Sequence, residues 1–305
     1  MMATDGWFDD DSLAKNHDGM AAEDITSRKG AVVGSKTLSF SGRLALSVMK
    51  SMDRNLLPGV VVNIVLNRTP ANIALMAARA APAGGAKIEI TKAMMYVRRV
   101  AAHPSVSRQH MRSLVEKPAT YSFIRTKTSF KSISQGLTSI DFYVQENGHI
   151  PNRLYLGLMH HQAQSGHFTR NAFRADHFNL SSLNVRVSGF PNTERLELDY
   201  AGGNVTRAYQ AMRRNVGGAG EDVLSGLTLA QYRAGGVSWY CFDLSGDRCV
   251  GTDGGVHLLK YGAVSVDLQF AEATPNPISA FIMTERDDLL TIEHDLSVHS
   301  RTGVI

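Results

Sequence analysis

The sequence predicts an all-β protein, an antiparallel sandwich of jelly-roll or Greek-key type with few short helices. Three observations carry that expectation. The dominant apolar period is two, the spacing of a strand with one buried face. The periodic runs are five to ten residues long, rich in β-branched and aromatic residues, and bounded by Gly, Pro, Asn or Asp. Helical patterns do not recur between them, which argues against a doubly wound parallel sheet.

Taken in order, Lys36–Leu44 alternates with Leu38, Phe40 and Leu44 on one side, and Val60–Arg68 follows the breaker Pro58-Gly59. Lys87–Val100 places Ile88, Ile90, Met94 and Tyr96 on one face. Tyr121–Ile133, Arg153–His160, Leu183–Val187, Val237–Leu244, Ala263–Phe270 and Ile278–Thr284 complete the strand set. A short helix is expected over Ser105–Glu116, entered through Pro104 and left before Pro118. A second is expected over Val205–Asn215, and a single turn over Thr69–Met76. Gln135–Ile150 and Phe190–Val237 read as long loops, and the Ala/Gly/Pro run 77–86 reads as a linker.

Of the 305 residues, 43% are hydrophobic and 20% charged, which excludes a wholly disordered chain. Two cysteines, Cys241 and Cys249, exclude a disulfide framework or a cysteine-rich zinc module. No apolar run approaches the roughly 20 residues of a membrane-spanning helix. The first twelve residues carry acid where a signal peptide carries a basic and then an apolar segment, so no secretory routing is expected.

The net charge of +4 conceals a polarised chain. Residues 1–24 hold seven acids against Lys15, a balance of −6. Residues 87–131 hold ten bases against Glu89 and Glu116, a balance of +8. Arg98, Arg99, Arg125 and Lys127 would form a stripe if their strands lay side by side, and they are the expected interaction surface. Nucleic acid would be held there only through non-specific phosphate charge.

Motifs for chemistry are sparse. His160, His161, His167 and His177 crowd one stretch beside Asp176. Neighbouring residues on a strand point to opposite faces, so His160 and His161 cannot share a metal without a bulge, and neither H-E-x-x-H nor a cupin-type H-x-H pattern occurs. No G-x-S-x-G marks a nucleophile, and Cys241 reads as a small core residue. The glycine runs at 217–220 and 251–255 lack a phosphate-loop pattern. The acidic pair Asp287-Asp288 has no partner that spacing identifies. Neither an enzyme nor a metal site or cofactor is expected.

From Lys87 through Ile133 the chain resembles the major capsid proteins of Polinton/Maverick elements and adintoviruses, which are similar in turn to the double jelly-roll capsid proteins of large DNA viruses. The likeness continues through Pro151–Leu158, Gly166–Leu180 with its Arg170-Asn171-Ala172-Phe173 core, Trp239–Leu244, Val264–Ala273 and Glu285–Ile292. Leu38–Leu66 resembles the closing strands of that family's first jelly roll, with residues 54–58 as the connecting turn. Two departures stand out: Ala172 lies where the family tends to have Pro, and the family's chain begins well before the point matching Met1.

The resemblance implies an acidic arm (1–34), closing strands of an incomplete first jelly roll (35–76), a linker (77–86) and a complete second jelly roll (87–305). It also implies a structural role without catalysis, as a viral shell subunit or a shortened relative of one. Such a protein is expected to assemble through its jelly-roll side faces into homotrimers and a virion shell inside the host cell, with a penton-type minor capsid protein as a further partner. A binding module for nucleic acid or glycan is the alternative, and a cupin-like metalloenzyme the third.

Overall fold

The structure is a computed structural model that describes residues 37–39, 41–42, 55–75, 87–188, 190–191, 195–217, 227–245 and 259–301. The chain divides into two compact units. One comprises 1–42, 69–86 and 127–285; the other comprises 43–68, 87–126 and 286–305. Strands β1 (Ala119–Ile133) and β9 (Ile278–Ile292) run through both, so each half belongs with its own unit.

The larger unit holds two sheets. One has the order β1-β9-β3-β7, with β3 at Arg153–His160 and β7 at Trp239–Asp243. The other has the order β2-β8-β4-β5, where β2 is Ser139–Gln145, β8 Val264–Phe270, β4 Leu180–Val187 and β5 Phe190–Pro191, and β6 (Leu196–Glu197) also joins β4. The strands of β2–β8, β8–β4, β3–β7 and β3–β9 pair antiparallel. The first four strands alternate between the sheets, and the last three alternate again. That order, read from the pairing itself, is a jelly roll.

Side-chain alternation explains why the two sheets face each other. In β8 the inward residues Val264, Val266, Leu268 and Phe270 are buried. They share a core with Leu183 and Val185 of β4, Leu154, Leu156 and Leu158 of β3, and Tyr240 and Phe242 of β7. Each fully buried Leu contributes about 1.5–3 kcal/mol relative to exposure. Strand β3 is buried along seven of its eight residues, as its near-continuous apolar sequence requires. Gly157 belongs there because Trp239 lies across it: a Cβ at Gly157 would come within 2.5 Å of the indole ring.

Backbone bonds tie the loops of one end together, with Gly136 N–H donating to Thr274 O (2.9 Å) and Ala271 N–H to Asn179 O (2.8 Å). At the other end Ser188 N–H donates to Ala263 O (2.7 Å) and Gly262 N–H to Gly148 O (2.9 Å). Helix α1 is the single turn Ala71–Ala74; α3 is His161–Ser165. Helix α4 (Thr206–Gly217) buries Ala208, Ala211 and Met212, and its Asn215 amide donates to Cys241 O on the edge strand β7 (2.9 Å). Helix α5 (Leu229–Ala234) starts with a capping box between Thr228 and Gln231.

The smaller unit contains the first half of β1, the last half of β9, and β10 (Val298–Ser300), which pairs antiparallel with β9. Its core is Tyr121, Phe123, Leu290 and Ile292, packed by Leu57, Val60, Leu296 and Val298. Helix α2 (Pro104–Glu116) has Pro at its first position and is capped by His103, whose Nδ1 accepts from Ser105 N–H (3.3 Å).

Several expected elements differ. Residues 60–68 and 87–100 carry apolar strand-like sequence but form no strand, and Val61 and Tyr96 are nearly fully exposed. β propensity expresses packing against a neighbouring strand, and none is present there among the described residues. Of Lys36–Leu44, the described residues 37–39 and 41–42 are exposed and not in a strand. Gln135–Ile150 is not a loop, since β2 lies inside it, and Phe190–Val237 holds β5, β6, α4 and α5. The acidic stretch, the linker, Cys249 and the glycines at 218–220 and 251–255 lie outside the described residues.

Candidate interaction surface

The four basic residues expected to form a surface occupy different settings. Arg98 and Arg99 are exposed in the extended segment 87–103 of the smaller unit. That segment is not a strand, so the side-by-side strands expected to carry the stripe are not present at Arg98 and Arg99. Arg125 points instead to the carboxylate of Asp288, with Nε donating to Oδ2 at 2.6 Å and Nη2 donating to Ser300 Oγ at 2.8 Å. Asp288 is fully buried and also accepts from Leu289 N–H at 2.9 Å. Lys127 is exposed on β1 in the larger unit.

The Arg125–Asp288 pair joins positions 163 residues apart and is the functional-looking cluster that spacing missed. Strand periodicity contains a partial signal, since an acid at an inward position of β9 requires a cation opposite it. The Asp288 side chain is fully enclosed, and that of Arg125 is largely so. A similar pair, Arg153 with Glu285, lies mostly buried in the larger unit, with Tyr155 Oη donating to Glu285 Oε2 at 3.0 Å.

The histidines each take a local partner. His161 Nδ1 lies 3.0 Å from Ser279 Oγ, and His160 packs edge-on against Phe178 at 5.1 Å. His167 Nδ1 lies 2.9 Å from Thr169 Oγ1. The His177 ring stacks on Tyr200 at 3.9 Å, and its Nδ1 accepts from Asn179 N–H at 3.0 Å, which leaves the proton on Nε2. Burial lowers the His177 pKa and outweighs the opposing pull of Asp176. Among the described residues, no three His, Cys, Asp or Glu side chains are grouped to hold a metal ion.

An open cleft of about 760 Å³ lies beside His177, lined also by Asn179, Tyr200, Gly203, Leu229 and Arg233. Arg233 is committed to the fold there, with Nε donating to Tyr200 O (3.1 Å) and Nη2 to Ala201 O (2.7 Å). Behind it Tyr200 and Tyr240 share a hydroxyl bond of 2.7 Å, and burial raises both phenols. Burial also pushes the Cys241 thiol up, so the sulfur is a core group and not a nucleophile. Among the described residues that line the cleft, no nucleophile is paired with a base.

No protein-family model matches this sequence, and no curated protein matches it. Solved structures similar to this chain include viral capsid proteins. The Sputnik virophage structure has a TM-score of 0.39 at 15% identity, covering 62% of this chain and 39% of that one. PBCV-1 VP54, as fitted into a Sputnik reconstruction, has a TM-score of 0.41 at 7% identity, covering 66% and 55%. The mavirus major capsid protein has a TM-score of 0.35 at 11% identity, covering 62% and 42%. This chain spans about two fifths to just over half of those neighbours' lengths. Among the described residues, no helix is long and apolar enough to cross a membrane.

Proposed function

We propose that this protein is a capsid subunit of the double jelly-roll kind, related to the Polinton/Maverick and adintovirus major capsid proteins, and that it acts in a virion shell. One observation carries the reading. The segments that resemble that family, Pro151–Leu158, Trp239–Leu244, Val264–Ala273 and Glu285–Ile292, carry β3, β7, β8 and the second half of β9 of a jelly roll. A shell subunit acts through the area and shape of its faces, so it needs no perturbed catalytic cluster. On this reading the chain trimerises through its jelly-roll side faces, the trimers tile into a shell, and a penton-type protein closes the vertices.

The test is direct. Purified protein is concentrated and followed by analytical ultracentrifugation and negative-stain electron microscopy. Trimers or larger closed assemblies are expected, and a strictly monomeric species at the highest concentration reached would overturn the reading.

A second reading, non-specific binding of nucleic acid, is favoured by the exposed Arg98 and Arg99 beside the exposed ring of Tyr96. It predicts a mobility shift on mixed-sequence duplex that weakens linearly in log salt.

A further inference from the structure

The cleft of about 760 Å³ beside His177 lies wholly within the larger unit, and the described residues that line it include one full cation and no acid. That cation is Arg233. Its Nε and Nη2 donate to Tyr200 O and Ala201 O, which fixes the plane of the guanidinium. Nη1 bonds to no described residue. Gly203 keeps the space beside it open: a Cβ there would come within 2.8 Å of Nη1, and the backbone φ of +86° favours glycine as well.

His177 supplies a second donor. Its Nδ1 accepts from Asn179 N–H at 3.0 Å, so Nε2 carries the proton, and Nε2 has no partner among the described residues. Stacking on Tyr200 at 3.9 Å holds the ring in place. Burial lowers its pKa, which keeps the ring uncharged near neutral pH. Leu229, Ala230 and Ala234 form an apolar side of the same cleft.

One fixed guanidinium beside an uncharged N–H donor suits a singly charged, planar acceptor better than a dianion. The volume falls in the range of roughly 300–1,000 Å³ typical of small-ligand sites, which leaves room for more than a bare ion. We infer that this cleft binds a carboxylate carried on a short aliphatic body. The carboxylate oxygens accept from Arg233 Nη1 and His177 Nε2, and the body lies against Leu229, Ala230 and Ala234. A free acid and the C-terminal residue of a peptide both offer that chemistry. The inference does not depend on the capsid reading.

The experiment titrates the full chain by calorimetry with N-acetyl-leucine, with its uncharged amide, and with the tripeptide Ala-Ala-Leu bearing a free C-terminus. Magnetic resonance of isotope-labelled histidine follows the same titrations, and the variant His177→Phe identifies the His177 signal. N-acetyl-leucine is expected to bind one-to-one and to shift the Nε2 resonance. The amide should bind about tenfold more weakly or worse, since it loses the charge-assisted bond to Arg233. Tighter binding of the tripeptide would identify a peptide terminus as the source of the carboxylate, and weaker binding a free acid. His177→Phe keeps a ring to stack on Tyr200 but removes the donor, and Arg233→Gln removes the charge; each should weaken binding several-fold. Circular dichroism checks that both variants fold, and if Arg233→Gln does not, His177→Phe decides alone. No binding at millimolar ligand, equal affinity for acid and amide, or tighter binding of inorganic phosphate than of N-acetyl-leucine would overturn the inference.

Discussion

Replacing Arg125 with Met leaves the carboxylate of Asp288 buried without its guanidinium. Asp288 has no exposed surface, the Arg125 side chain is 23% accessible, and their contact is 2.6 Å. Breaking a buried pair from one side costs about 3–5 kcal/mol, because the surviving charge keeps its desolvation penalty. Leu289 N–H and Ser300 Oγ still bond the carboxylate, and water reaches the Arg125 side, so the lower end applies, about 3 kcal/mol. That is more than a hundredfold (~150-fold) in the folding equilibrium, at about 1.4 kcal/mol per factor of ten. The double variant Arg125→Met/Asp288→Leu removes both charges and should recover most of the loss, since apolar replacement of a buried pair is close to neutral. Urea unfolding followed by circular dichroism reads both, and hydrogen exchange over residues 286–292 shows whether the smaller unit opens first. If Arg125→Met costs less than about 1 kcal/mol and the double variant is no better, the pair is screened like a surface bridge and the reasoning fails.

Gly157→Ala drives a methyl into the Trp239 ring, which also meets Phe281 edge-on at 5.6 Å, and should cost about 1–3 kcal/mol by thermal unfolding. In a Trp239→Ala background the same substitution should cost almost nothing; an equal cost in both would place the constraint elsewhere. For His177, whose pKa is lowered in the fold by burial, the unfolded chain takes up the proton first as pH falls. Its contribution is therefore whole above the unfolded value of about 6.5 and is lost as pH drops through the folded value. Urea midpoints at pH about 7.5 and about 5 should differ more in the parent than in His177→Gln, and parallel shifts would refute the assignment.

How legible each strand was follows from how its partners are arranged. Strands β3, β7 and β8 were visible in the sequence because their buried positions are largely apolar or aromatic, and β9 was visible as far as Thr284, short of the polar stretch Glu285–Asp288 at its middle. Strand β2 was hidden: Ile140, Phe142 and Val144 do alternate, but the run is short and enclosed by Gly136 and Gly148, and only its register with β8 makes it a strand. The helices α2 and α4 were read within two residues because Pro104 and the glycines after Asn215 are local signals. Residues 60–68 and 87–100 have strand composition as good as β8, yet composition does not supply a neighbour to hydrogen-bond.

The surface residues divide the same way. Exposure of Arg98 and Arg99 followed from local charge density, whereas the capture of Arg125 by Asp288 depended on β1 and β9 being neighbours. The sequence by itself determined the class of the fold and the polarity of its charge, because period, turn chemistry and ionisation are properties of neighbouring residues. The tertiary structure alone decided which strands pair, which arginines find a carboxylate and which apolar runs stay exposed. Those outcomes depend on contacts between residues far apart in the chain, and a linear pattern does not encode the distance between them.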